Sequence, residues 1–151
     1  MYTSTADPPA PTGESSLQRL PRGTSTVVVV PSPELLADGP SMEAHYQGVA
    51  TITEATGGAV TYVLAPSRPS AGVVVTTRMD AEDARCLEGN IRGYTRGTYQ
   101  GLELASAEIV FCSPGVARSA TIGHELGHTF GLRHSPEQRD LMYFQFGTRR
   151  A

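Results

Sequence analysis

The segment His124-Glu125-Leu126-Gly127-His128-Thr129-Phe130-Gly131-Leu132-Arg133-His134 constrains this chain more than any other. An α-helix advances about 100° per residue, so His124 and His128, four apart, return to nearly the same face one turn along. Two imidazoles placed this way converge on one ion. Glu125 projects beside them, offset from the ligand line yet within reach of a water on that ion, which is where a general base is needed. Gly131, three residues past His128, can take a left-handed conformation, stop the helix and turn the chain. That turn can return His134 to the same metal. Three neutral imidazoles leave the fourth tetrahedral position to water, which describes an open site rather than a closed structural one. The alternative, exposed histidines on an amphipathic helix, leaves unexplained why three of the four histidines stand at ligand spacing.

With 151 residues, 39% hydrophobic content and no Trp, the chain can bury one core but hardly two. The net charge of −3 and the absence of any Lys/Arg run give no reason to expect nucleic acid or an anionic membrane as a partner. No apolar stretch approaches the roughly 18 to 20 residues that span a bilayer, so no transmembrane segment is expected. Residues 1–25 are rich in Pro, Ser and Thr and poor in large apolar groups, and are read as a flexible tail. Residues 26–151 then form the single catalytic domain. Met1 to Ser16 lacks the apolar core of a signal peptide, so an export signal is expected to be absent from this chain.

Thr26 to Val30, β-branched and followed by Pro31, suits a buried strand. From about Ser41 a helix is predicted, with Met42, Tyr46, Val49, Ile52 and Thr53 as its apolar stripe, closing before Gly57 and Gly58. His45 lies near that stripe and reads as a surface or half-buried helix residue rather than a ligand. Val60 to Leu64 and Gly72 to Thr77 are further strands, separated by a Pro-Ser-Arg-Pro-Ser turn, and Glu108 to Cys112 is another. The helix bearing the histidines is expected to start after Pro114 and Gly115 and to run to about Phe130. Within the glycine-rich stretch Gly89 to Gly101, Ile91 to Thr95 reads either as a strand or as a mobile loop, since Gly weakens a strand.

The extended HExxHxxGxxH pattern, with Met142 eight residues beyond His134, resembles the active-site helix and Met-turn of the metzincin clan of zinc metallopeptidases. Ser135 and the Leu141-Met142-Tyr143 run are similar to the matrixin branch, to which the matrix metalloproteinases belong. The specific resemblance covers His124 to Tyr143; the order of elements from Thr26 onward is similar more loosely. It implies an α+β fold, a small twisted mixed sheet packed on two main helices, with a minimal C-terminal subdomain after the Met-turn. It implies one catalytic Zn²⁺ held by His124, His128 and His134, Glu125 as general base, Gly131 as the turn and Met142 as an apolar floor beneath the metal. Read without the motif, Met142 is ordinary core filler. The implied activity is hydrolysis of peptide bonds in a protein or peptide substrate by metal-activated water, by a monomer in a secreted or extracytoplasmic setting. In the family an edge strand pairs with the extended substrate, and Ile91 to Thr95 is the candidate here. Tyr143 follows Met142 directly and position 144 is Phe, so no tyrosine ligand is expected.

Cys86 and Cys112 are the only cysteines, and an even count beside a secreted-type peptidase motif favours a disulfide; the alternative is a buried free thiol at Cys112. No cluster of Asp, Gly and His like that of matrixin calcium loops stands between Pro66 and Cys112, so Ca²⁺ is doubtful. Only nine residues follow Met142, too few for the C-terminal helix usual in the family. Two other functions fit the motif less well. One is a catalytically weak or inactive zinc-containing peptide-binding module. The other is a purely structural zinc site, which needs a fourth protein ligand such as Cys112.

Overall fold

The run Val27 to Val30 forms the middle of strand β1 (Thr26–Pro31) in the computed structural model, which describes residues 19–89, 91–113, 119–132 and 142. β-branched side chains pack well on a pleated surface, and β1 uses this on both edges. It pairs in parallel with β2 (Thr61–Leu64) on one side and β3 (Val73–Met79) on the other. Strand β5 (Glu103–Phe111) adds in parallel to β3, and β4 (Gly93–Gln100) closes the sheet antiparallel to β5, giving the order β2-β1-β3-β5-β4. The helices are α1 (Pro33–Leu36), α2 (Gly39–Ala55), α3 (Ala84–Glu88) and α4 (Ser119–Thr129).

One face of the sheet carries the core. Val27, Val29, Val75, Ile109 and Phe111 are buried with Ile52 of α2 and Ile122 and Leu126 of α4 in a single apolar cluster. Each such side chain taken from water contributes about 1.5–3 kcal/mol. The opposite face carries an ionic network at the end of β3. The Arg78 guanidinium meets Glu108 at 2.7 Å, Asp80 at 2.9 Å and Asp83 at 3.6 Å, and the Tyr94 hydroxyl donates to Asp83 at 2.7 Å. Burial pushes the Asp83 carboxyl up, but the Tyr94 hydroxyl, the Arg85 N–H and the nearby guanidiniums of Arg78 and Arg96 outweigh it and hold the group below its ordinary range. A disulfide joins Cys86 of α3 to Cys112 just past β5, with the Cα atoms 5.5 Å apart. Closing a ring of this size is worth about 3–4 kcal/mol on a chain-entropy account.

Several expectations change. The buried face of α2 is Ser41, Ala44, His45, Gly48, Val49 and Ile52, whereas Tyr46 is 59% exposed. The apolar stripe was sought among large residues, but the contact with α4 is too close for them. A Cβ added at Gly48 would stand 2.6 Å from Cγ2 of Ile122 and 2.9 Å from its Cβ. His45 is not a surface or half-buried residue but fully buried. Its Nδ1 donates to the Ser41 carbonyl at 2.8 Å, so its Nε2 accepts from the Thr77 hydroxyl at 2.9 Å. Strand β5 starts at Glu103 rather than Glu108, because pairing on both sides imposes extended geometry on the small residues Ala105, Ser106 and Ala107. The glycine-rich stretch forms the strand β4 and not a loop. Of the segment expected as a tail, residues 1–18 lie outside the described residues, while Arg19 bridges Glu103 and Leu20 joins the core, so order reaches upstream of Thr26. Residues 143–151, the expected C-terminal subdomain, also lie outside.

Replacing Gly48 by Ala is expected to destabilise the fold by about 1–3 kcal/mol through overpacking against Ile122, read as a lower urea midpoint. His45 adds a pH dependence. Burial lowers its pKa from the ordinary imidazole value, despite the opposing Ser41 bond. The unfolded chain therefore takes the proton first as pH falls, and stability, full above about 6.5, is lost as pH drops toward the folded value. His45→Gln should flatten the decline of the thermal midpoint between about pH 7 and pH 5.

Candidate active site

Helix α4 positions the site. Its residues Thr121 to Thr129 are buried throughout, with Ile122 and Leu126 set into the apolar cluster. The rings of His124 and His128 stand one turn apart with centroids 4.9 Å from each other and planes at 88°. Both Nε2 atoms are buried. Nδ1 of His128 is 2.9 Å from the Leu132 carbonyl. A carbonyl only accepts, so Nδ1 carries the proton, and the lone pair of the neutral ring lies on Nε2. This is the tautomer a metal-binding imidazole needs, fixed by a partner on its other nitrogen.

The acceptor exists because of the way the helix ends. Gly131 has φ of 102°, its N–H donates to the His128 carbonyl at 3.0 Å, and the Leu132 N–H donates to the Gly127 carbonyl at 3.0 Å. That is the bond pattern of a Schellman turn, with glycine in the left-handed position. It brings the Leu132 carbonyl back to the ring of His128. Farther up, the Tyr62 hydroxyl of β2 donates at 3.0 Å to Thr129 Oγ1, which itself donates to the Leu126 carbonyl at 2.6 Å, so the last turn of α4 is tied to the sheet. Burial pushes the Tyr62 phenol up to about 12.

Glu125 is fully buried, and its Oε1 accepts from the Thr95 hydroxyl of β4 at 2.6 Å. Met142 is buried against the middle of α4, where its Sδ would overlap any Cβ added at Gly127 and its Cε would lie 3.2 Å away. The structure thus gathers His124, Glu125, His128, Gly131 and Met142 around one stretch of helix. His134 lies outside the described residues, as do Ser135 and Tyr143. Among the described residues no group of three or more His, Cys, Asp or Glu side chains is placed to hold a metal. The two imidazoles that are described fit zinc, which favours neutral nitrogen donors. Cys112 is spent in the disulfide and does not serve as a further ligand. Sequence reasoning missed Thr95, Tyr62 and the Leu132 carbonyl.

A mostly parallel five-stranded sheet with an antiparallel edge strand, backed by two helices of which the second carries the HExxH residues, is a metzincin-like fold. Metalloproteinase-II from Bacteroides fragilis shares it over 87% of this chain and 51% of its own, with a TM-score of 0.51 and 16% identity. High choriolytic enzyme 1, a hatching-enzyme zinc protease from the medaka Oryzias latipes, aligns over 84% of this chain and 55% of its own, at a TM-score of 0.42 and 18% identity. The chain thus spans about half the length of these proteins. No protein-family model and no curated sequence matches it.

Replacing Gly131 by Ala is expected to cost about 1–2 kcal/mol, because an L side chain at positive φ is strained. The check is the thermal midpoint.

Proposed function

We propose that this chain is a zinc-dependent endopeptidase in which His124, His128 and His134 hold one Zn²⁺ and Glu125 is the general base. The observation that carries this reading is the His128 ring held by Leu132 in the metal-binding tautomer, one helical turn from His124 and beside a buried carboxylate. The fold shared with zinc proteases supports the same class.

Bound zinc would supply a water acidified toward about pKa 7 and a polarised scissile carbonyl. The chain's own groups do the rest. Glu125 takes the proton from the attacking water and gives it to the leaving amine. Burial of Glu125 and both imidazoles keeps bulk water from competing for those bonds. Met142, lying against Gly127, forms the apolar floor that holds α4 at fixed height. Strand β4, the edge strand of the sheet among the described residues, offers backbone groups to an extended peptide. Residues 26–151, with the segment that carries Leu20 packed against them, make up the catalytic domain. The setting is extracytoplasmic: the disulfide suits an oxidising compartment, and none of the described helices is long and apolar enough to cross a membrane.

Cleavage profiling on a peptide library, with metal content measured in parallel, tests the reading. Hydrolysis should vanish with a chelator and return with zinc. Glu125→Ala should lower turnover by at least about 10²-fold while zinc stays bound. A protein that binds zinc and peptides but cleaves none is instead the inactive binding module. Gly131→Ala should also weaken zinc binding by about 10- to 100-fold, as loss of an orienting partner on a ligand histidine does.

A further inference from the structure

Two threonine hydroxyls that reach from the sheet to the helices stand in one cross-strand row, Thr77–Ile109–Thr95, on the face that packs against α2 and α4. Thr77 is bonded to His45, and Thr95 to the carboxylate of Glu125. Thr95 is 2% exposed, in surroundings where valine would fill the same space and suit a strand equally well. Its Oγ1 lies 2.6 Å from Glu125 Oε1 and 3.2 Å from the Glu125 carbonyl oxygen. Both are acceptors and the hydroxyl has one proton, so the shorter contact takes it. That length is typical of a charge-assisted O–H···O⁻ bond.

The terminal torsion of a glutamate is broad and roughly two-fold, so nothing within the side chain itself fixes which oxygen faces the reacting water. A donor on one oxygen removes that freedom. We infer that Thr95 is a positioning residue for the general base: its hydroxyl, bonded to Oε1, fixes the orientation in which the carboxylate meets the reacting water. Gly93 and Gly97 alternate with Thr95 along the strand, and the ring of Tyr99 lies over Gly97. The inference rests on the peptidase reading given above and adds to it a residue on a different element, outside the zinc motif.

The test compares the full chain with Thr95→Val, Thr95→Ser and Glu125→Ala, measuring kcat, KM, zinc content and thermal midpoint on a peptide that the wild type cleaves. Thr95→Val should lose about 10- to 100-fold in kcat with KM and zinc content close to wild type, the scale expected when a reacting group is misplaced, and its midpoint should fall because the buried carboxylate loses a donor. Thr95→Ser, which keeps the hydroxyl, should recover most of the loss. A crystal structure of zinc-loaded Thr95→Val should show the Glu125 carboxylate rotated away from its wild-type orientation. If Thr95→Val does not fold, Thr95→Ala takes its place with the same expectations. Wild-type kcat in the hydroxyl-free variant, or a serine variant as slow as the valine one, overturns the role of Thr95 while leaving Glu125 as base. Wild-type protein without zinc-dependent cleavage, or Glu125→Ala as active as wild type, overturns the peptidase reading and this inference together.

Discussion

The Ile122 side chain of α4 lies against bare backbone at Gly48 of α2, and the position of every other group in the site follows from that contact. A helix that carries two imidazoles and a carboxylate must sit where all three meet their partners at once. Here it is located from three directions. Gly48 sets the approach from α2, Thr95 and Tyr62 bond to it from opposite edges of the sheet, and Met142 presses on Gly127. Two of these contacts are defined by an absent side chain. Interiors pack at nearly crystalline density, so a methyl added at Gly48 meets the branched Ile122 side chain and displaces α4, whereas one at Gly127 meets the flexible end of Met142.

The second constraint is electrostatic. The protein buries His45, His124, Glu125 and His128, and polar groups removed from water cost several kcal/mol unless bonded. The sheet meets this cost with residues that differ little in shape from valine. Thr77 and Thr95 supply hydroxyls to a largely apolar face, the first to α2 and the second to α4. The backbone supplies the rest, through the Ser41 carbonyl to His45 and the Leu132 carbonyl to His128. Polar function is thereby introduced without breaking the apolar layer on which the fold depends.

The chemistry of α4 was legible because it is local. Helical spacing alone places His124, Glu125 and His128, and a glycine three residues on announces the turn. The strands of consecutive valines were equally plain, as was the cysteine pairing once only two were counted. What escaped notice depended on partners distant in the chain. The bond from Thr95 to Glu125 spans 30 residues and leaves no local pattern. The buried face of α2 was misplaced toward Met42 and Tyr46 because close helix contact selects small residues, which hydrophobicity does not mark. The first half of β5 was overlooked because Ala and Ser have little preference of their own for extended structure; its neighbours impose it.

The Cys86–Cys112 link encloses β4 and β5 entire, so the edge of the cleft belongs to a closed covalent ring. A nick anywhere on the β4–β5 hairpin would leave the two fragments joined through sulfur, their strands still registered and the helix still braced. Damage at the rim of the cleft would therefore be survivable, where the same cut in an unbridged hairpin would set β4 free.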